Sequence, residues 1–136
     1  MSNRHCALDR RQALALLSAM GISTDALSQD AARANPRGFA VLLENERVRV
    51  LEYTSRPGMG VCGRGVHSHP DHINIALTPI KVKVTLQDGS TVLAENKAGD
   101  VFWEGAVTHS VENIGGSGAR AYMIELREPP IAAKRK

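Results

Sequence analysis

The chain is poor in the residues that mark several specialised classes of protein. Only two of its 136 residues are cysteine, Cys6 and Cys62. Two cysteines build neither a disulfide scaffold nor an all-cysteine metal site. Cys6 lies in the N-terminal segment and Cys62 in a glycine-rich turn, so no structural disulfide is expected. Aromatic residues make up 4% of the chain, and no basic stripe is interleaved with them, as a single-strand or RNA binder requires. The formal charge of +3 is peripheral. Residues 1–34 carry a net +1, and Lys134-Arg135-Lys136 adds three positive charges, which leaves residues 35–133 at −1. That terminal cluster reads as a solvated basic tail over 131–136, and no nucleic-acid partner is expected. No apolar run reaches the roughly 20 residues that a membrane-spanning helix takes, so no stable membrane association is expected. What remains is 43% hydrophobic and 23% charged, the balance of a globular protein with one domain.

Residues 1–34 differ in pattern from the rest of the chain. A polar stretch ends in Arg10-Arg11, an apolar run spans Ala13 to Ile22, and a polar run closes on Ala31-Ala32-Arg33-Ala34. Those are the three parts of an export signal with an Ala-x-Ala cleavage site. Arg10-Arg11-Gln12-Ala13-Leu14 resembles a twin-arginine signal, although Asp9 and Ala13 stand where Ser or Thr and Phe are usual. A Tat-like address would place the protein outside the cytoplasm, in the periplasm. Otherwise it would be cytoplasmic, with Leu14, Leu17 and Ile22 forming one stripe of an amphipathic helix.

From Asn35-Pro36-Arg37-Gly38 onward, short alternating runs are separated by turn signals. The predicted strands are 39–43, 47–53, 66–69, 72–77, 81–86, 91–94, 101–103, 108–113 and 119–126. Pro70-Asp71 kinks the chain between the third and fourth, and Asp88-Gly89 marks a hairpin. This region holds no second helical pattern. The spacing predicts an all-β sandwich or barrel over residues 35–130, closed or doubled to hide its strand edges.

Three of the five histidines fall within six residues, in His67-Ser68-His69-Pro70-Asp71-His72. On a strand, His67 and His69 face the same side, and the irregular Pro70-Asp71 step can bring His72 round to that side. His109 opens a later strand. Imidazole suits first-row transition metals, and a His-x-His pair with one or two distant ligands makes a metal site inside a barrel. His67, His69, His72 and His109 are therefore the candidate ligands of one divalent metal: iron, manganese, nickel or zinc.

With these residues in view, the sequence resembles the cupin family. Its first motif is matched by Gly60, His67, His69 and Gly89, and its second by Gly99-Asp100-Val101-Phe102-Trp103, His109 and Asn113. The resemblance spans about Leu42 to Glu125. It departs from the family in three places. The family glutamate is missing, and His72 falls near its position. Gly105 and Val107 replace the turn Pro and Gly, beside Ala106 and Thr108. Thr78-Pro79-Ile80 replaces a glycine-containing turn. The resemblance implies a double-stranded β-helix (jelly-roll) barrel, preceded by a short helix or signal segment. It also implies a homodimer, and for Asn113 a structural hydrogen bond.

Four neutral histidines leave a divalent metal at +2, where three histidines and a glutamate leave +1. The site would then favour an anionic small ligand. If His72 points away, a three-histidine site remains. Glu104 is a candidate to orient a ligand imidazole. Asn74, Tyr53, Trp103 and Met123 are candidates to line the pocket. No side chain is placed as a general base. The function these features imply is a metal-dependent small-molecule enzyme, either a non-haem iron oxygenase or a Lewis-acid isomerase or lyase. The alternative is a cupin that binds a ligand or a metal without turnover.

Overall fold

Alternation of apolar and polar residues, broken by glycine and proline turns, gives the described residues nine strands and one helical turn. The computed structural model describes residues 30–60 and 64–128. Both cysteines, the twin-arginine stretch and the basic tail lie outside the described residues. The helical turn α1 spans Ala31–Ala34. The strands are β1 (Phe39–Glu44), β2 (Val48–Ser55), β3 (His67–His69), β4 (His72–Ala76), β5 (Ile80–Leu86), β6 (Thr91–Asn96), β7 (Val101–Glu104), β8 (Val107–Asn113) and β9 (Ala119–Leu126). Each corresponds to a predicted segment, with ends displaced by at most two residues.

The strands form two antiparallel sheets, one ordered β1-β2-β9-β4-β7 and the other β3-β8-β5-β6. This is the expected all-β jelly roll. β3 and β4 are separated in sequence only by Pro70-Asp71, yet they belong to different sheets. The kink is therefore the corner at which the chain crosses from one face of the barrel to the other. Asp71 secures it. Its carbonyl accepts the Leu126 N–H at 2.9 Å, and its Oδ1 accepts the Ala106 N–H at 2.8 Å. The second bond also holds the turn that lacks the family proline and glycine.

Register sets what faces inward. Residues directly opposite in a ladder lie on one face, so the five-stranded sheet carries inward rows. Arg49, Glu125, His72 and Glu104 make one row, and Leu51, Met123, Asn74 and Phe102 the next. Beyond these lies a row of Phe39, Tyr53, Ala121 and Ala76. The barrel interior is thus polar and charged at one edge and apolar beyond it. Its apolar core comprises Ala31, Phe39, Leu51, Tyr53, Ala76, Ile80, Val82, Ala119 and Ala121.

Asp30 to Ala34, which the sequence reading places in an export signal or an N-terminal helix, are part of the folded unit. Ala31 is fully buried in the core, and Asp30 pairs with Arg49 and bridges to Ser68. Contrary to the sequence reading, Trp103 does not line the interior. It pairs with Ile73 on the outer side of the sheet and is 57% exposed. Three consecutive apolar residues, Val101-Phe102-Trp103, do not reveal which face is which. Only the pairing with β4 does.

Candidate metal centre

His67 and His69 project from β3 and His109 from β8. His67 and His109 are directly opposite each other in the ladder, which accounts for their meeting. Ring centroids are 4.9 Å apart for His67–His69 and for His67–His109, and 5.5 Å for His69–His109. All three side chains are buried, and each offers a ring nitrogen within 4.8 Å of the others.

Each imidazole of the β3 pair is held from behind. His67 Nδ1 donates to the Gly65 carbonyl at 2.7 Å. His69 Nδ1 donates to Glu125 Oε1 at 2.8 Å. Donation at Nδ1 fixes the tautomer and leaves a lone pair at Nε2. Neither Nε2 has a hydrogen-bond partner, and neither nitrogen of His109 has one. A buried polar atom without a partner costs about 1–3 kcal/mol. Four such nitrogens in one cluster need a reason beyond folding. Convergent lone pairs on neutral imidazoles are the donor set of a transition-metal site, so the residues fit a metal.

Electrostatics keep two of the rings neutral. Burial lowers the His67 pKa to about 4, against the opposing pull of its bond to Gly65. Burial, then the charge His67 would carry, lowers His109 to about 3. Protons therefore do not compete for these lone pairs near neutrality.

His72 is placed differently. Its ring is close to that of His69, at 4.8 Å, but both its nitrogens face acceptors. Nδ1 donates to the Pro70 carbonyl at 2.7 Å, and Nε2 lies 3.1 Å from Glu104 Oε2. Burial disfavours its charge, but the bonds to Glu104 and Pro70 outweigh that and raise its pKa. Glu104 is shifted the other way. Burial raises it, but His72 and the other histidines bring it below the usual carboxylate value. Glu104 Oε1 also lies 3.8 Å from His109 Nδ1. His72 is therefore at the edge of the cluster as a proton holder, while three histidines form its centre. Glu104 is thus hydrogen-bonded to His72, not to one of the three central histidines.

Glu125 is the residue that the sequence reading missed. It is 1% exposed, holds His69, and receives Arg49 Nε at 2.8 Å. Arg49 in turn pairs with Asp30. The resulting chain, Asp30–Arg49–Glu125–His69, anchors a candidate ligand to two elements of the opposite sheet and to the helical turn. The signal was present: Ala119, Ala121, Met123 and Glu125 alternate on one strand face, three of them apolar. Asn74 and Met123 face the interior in the row beside His72. The buried Asn74 Nδ2 has no partner. Tyr53 also faces inward, its ring 5.3 Å from Phe39. Asn113 is structural, as expected. It donates to Ser55 Oγ and the Ser117 carbonyl, and it accepts the Gly115 N–H.

A jelly-roll barrel with a histidine centre between its sheets is the class these observations define. No protein-family model matches the sequence, and the curated proteins give no match. Solved structures do match. A cupin domain from Bordetella pertussis Tohama I superposes with a TM-score of 0.59 at 25% identity, over 66% of this chain and 92% of that one. An RmlC-like cupin from Methanocaldococcus jannaschii, with a double-stranded β-helix fold, superposes with a TM-score of 0.52. Its identity is 16%, over 67% of this chain and 80% of that one, and the likeness is one of fold alone. The chain shares the double-stranded β-helix fold of these cupins.

Proposed function

We propose that the protein is a metal-dependent enzyme acting on a small anionic molecule, with His67, His69 and His109 as ligands of one divalent metal. The observation that supports this reading is the convergence of three buried imidazoles whose inward nitrogens have no protein partner. Iron, manganese, nickel or zinc held there would supply Lewis acidity or, for a redox-active ion, oxygenase chemistry. Three neutral ligands leave the +2 charge uncompensated, which favours an anionic substrate.

The chain's own residues do the rest. Glu125 fixes the His69 ring and raises its basicity as a ligand. The Phe39 ring, 4.8 Å from His67 and 5.2 Å from His69, closes the apolar side and keeps water from it. His72, held between Pro70 and Glu104, keeps a proton at Nε2 beside the centre, where it can be passed to a bound substrate. Two assembled copies belong to the same reading. The edge strand β1 leaves Val41, Leu42 and Leu43 about half exposed, a surface suited to a second copy.

Turnover is tested by oxygen consumption and product formation with the iron-loaded protein and a panel of small thiols and diketones, beside His109→Ala. Turnover that the variant loses supports the enzyme. A ligand retained but returned unchanged by the loaded protein favours the non-catalytic binding module instead.

A further inference from the structure

A cavity of about 180 Å³ lies against His67, one member of the histidine cluster. Among the described residues its wall includes Asn35, Tyr53, Met59, Arg64, His67 and Val111, and no acidic side chain. Three groups in its wall are donors. Tyr53 is 6% exposed, and its hydroxyl has no hydrogen-bond partner. Burial raises the phenol's pKa, so the hydroxyl keeps its proton. Asn35 uses Oδ1 to accept the Gly38 N–H, which leaves its amide hydrogens for the cavity. Arg64 is exposed at the rim and brings a guanidinium. Met59 and Val111 supply apolar wall.

We infer that this cavity binds a small organic carboxylate, a reading that rests on the metal-centre proposal for the role of His67 and names the substrate class for it. Donors without a competing acid select an anion, and the planar guanidinium fork fits a carboxylate in two bonds. The apolar wall selects a molecule with a carbon body over inorganic phosphate. A cavity of about 150 Å³ accepts benzene, so the acid has about six to eight non-hydrogen atoms. His67 is shared: its ring closes the cavity on one side and belongs to the metal set on the other. The acid is thereby held next to the centre.

Nuclear magnetic resonance titration of the ¹⁵N-labelled full chain tests this, with butyrate, its neutral isostere butyramide and inorganic phosphate as probes. Butyrate is expected to shift the Gly60, Gly65 and Val111 amides and to bind about tenfold more tightly than butyramide. Arg64→Ala is expected to weaken butyrate about tenfold, and Tyr53→Phe about threefold or more. Both substitutions preserve the fold, since one residue is at the rim and the other loses only a hydroxyl. Equal binding of butyrate and butyramide, or butyrate binding indifferent to Arg64→Ala, would overturn the inference. Phosphate binding as tightly as butyrate would overturn its organic part. The titration is run on chelator-treated and on metal-loaded protein. Failure to take up metal overturns the metal reading alone, because the Arg64 and Tyr53 dependence is read in both forms.

Discussion

The centre depends on single atoms behind the ligands as much as on the ligands themselves. Glu125 is the sharpest case. Its carboxylate is shared by His69 Nδ1 and Arg49, so Glu125→Gln removes a charge without changing shape. Loss of such an outer partner commonly costs about 10–100-fold in metal affinity. We expect a loss of that size in a competitive metal titration, with His69 still present. Unchanged affinity would show that Glu125 serves only the ion pair with Arg49. His67 and His69 were legible as a pair because alternate residues on a strand share a face; the sequence reading joined both His109 and His72 to them, and the structure sets His72 apart. For Glu125, alternation along β9 discloses the inward face, but nothing along the chain ties it to His69, 56 residues away. The separate role of His72 depends on Glu104 standing opposite it in the β4–β7 ladder, a pairing that spacing along the chain does not disclose.

Individual elements are positioned by a few backbone constraints. The segment between β2 and β3 docks on β8 through Gly58 N–H to the Asn113 carbonyl at 2.8 Å and Asn113 N–H to the Met59 carbonyl at 3.0 Å. Gly60 makes that docking possible. Its φ is 80°, and a Cβ there would overlap the Val111 carbonyl oxygen. Gly60→Ala therefore adds both left-handed strain and a clash with backbone. We expect a loss of at least about 2 kcal/mol in denaturant unfolding. Gly89→Ala is expected to lose less, because it carries the strain of a positive φ with nothing near enough to clash. Equal effects at the two sites would contradict the docking account. Strand order was the least legible level. The segments and their ends follow from alternation and turns. The crossing of β3 and β4 to different sheets, which brings His72 against β9 and β7, follows from the Pro70-Asp71 corner.

At the scale of the whole molecule, the buried neutral histidines couple stability to pH. Unfolded histidine titrates near 6.5, whereas folded His67 and His109 titrate at about 4 and about 3. Between those values the unfolded chain binds more protons, so stability present above pH 6.5 is lost as pH falls through that window. His72, with a raised pKa, acts in the opposite sense and offsets part of the loss. The denaturant midpoint of the chelator-treated protein is therefore expected to fall between pH 7 and pH 5. A midpoint that rises over that interval would contradict the burial of neutral rings. Among the described residues no helix is long and apolar enough to cross a membrane.

Metal bound to this centre would stabilise the fold, because only the folded chain brings the three rings together. The most direct test of the account is metal content per chain, by elemental analysis, on protein purified without a histidine tag or chelator, beside His69→Ala and His109→Ala. The account predicts close to one divalent metal per chain in the natural sequence and a large loss in both variants. No metal in the natural sequence, even after incubation with iron, manganese, nickel and zinc, or undiminished metal in both variants, would contradict it.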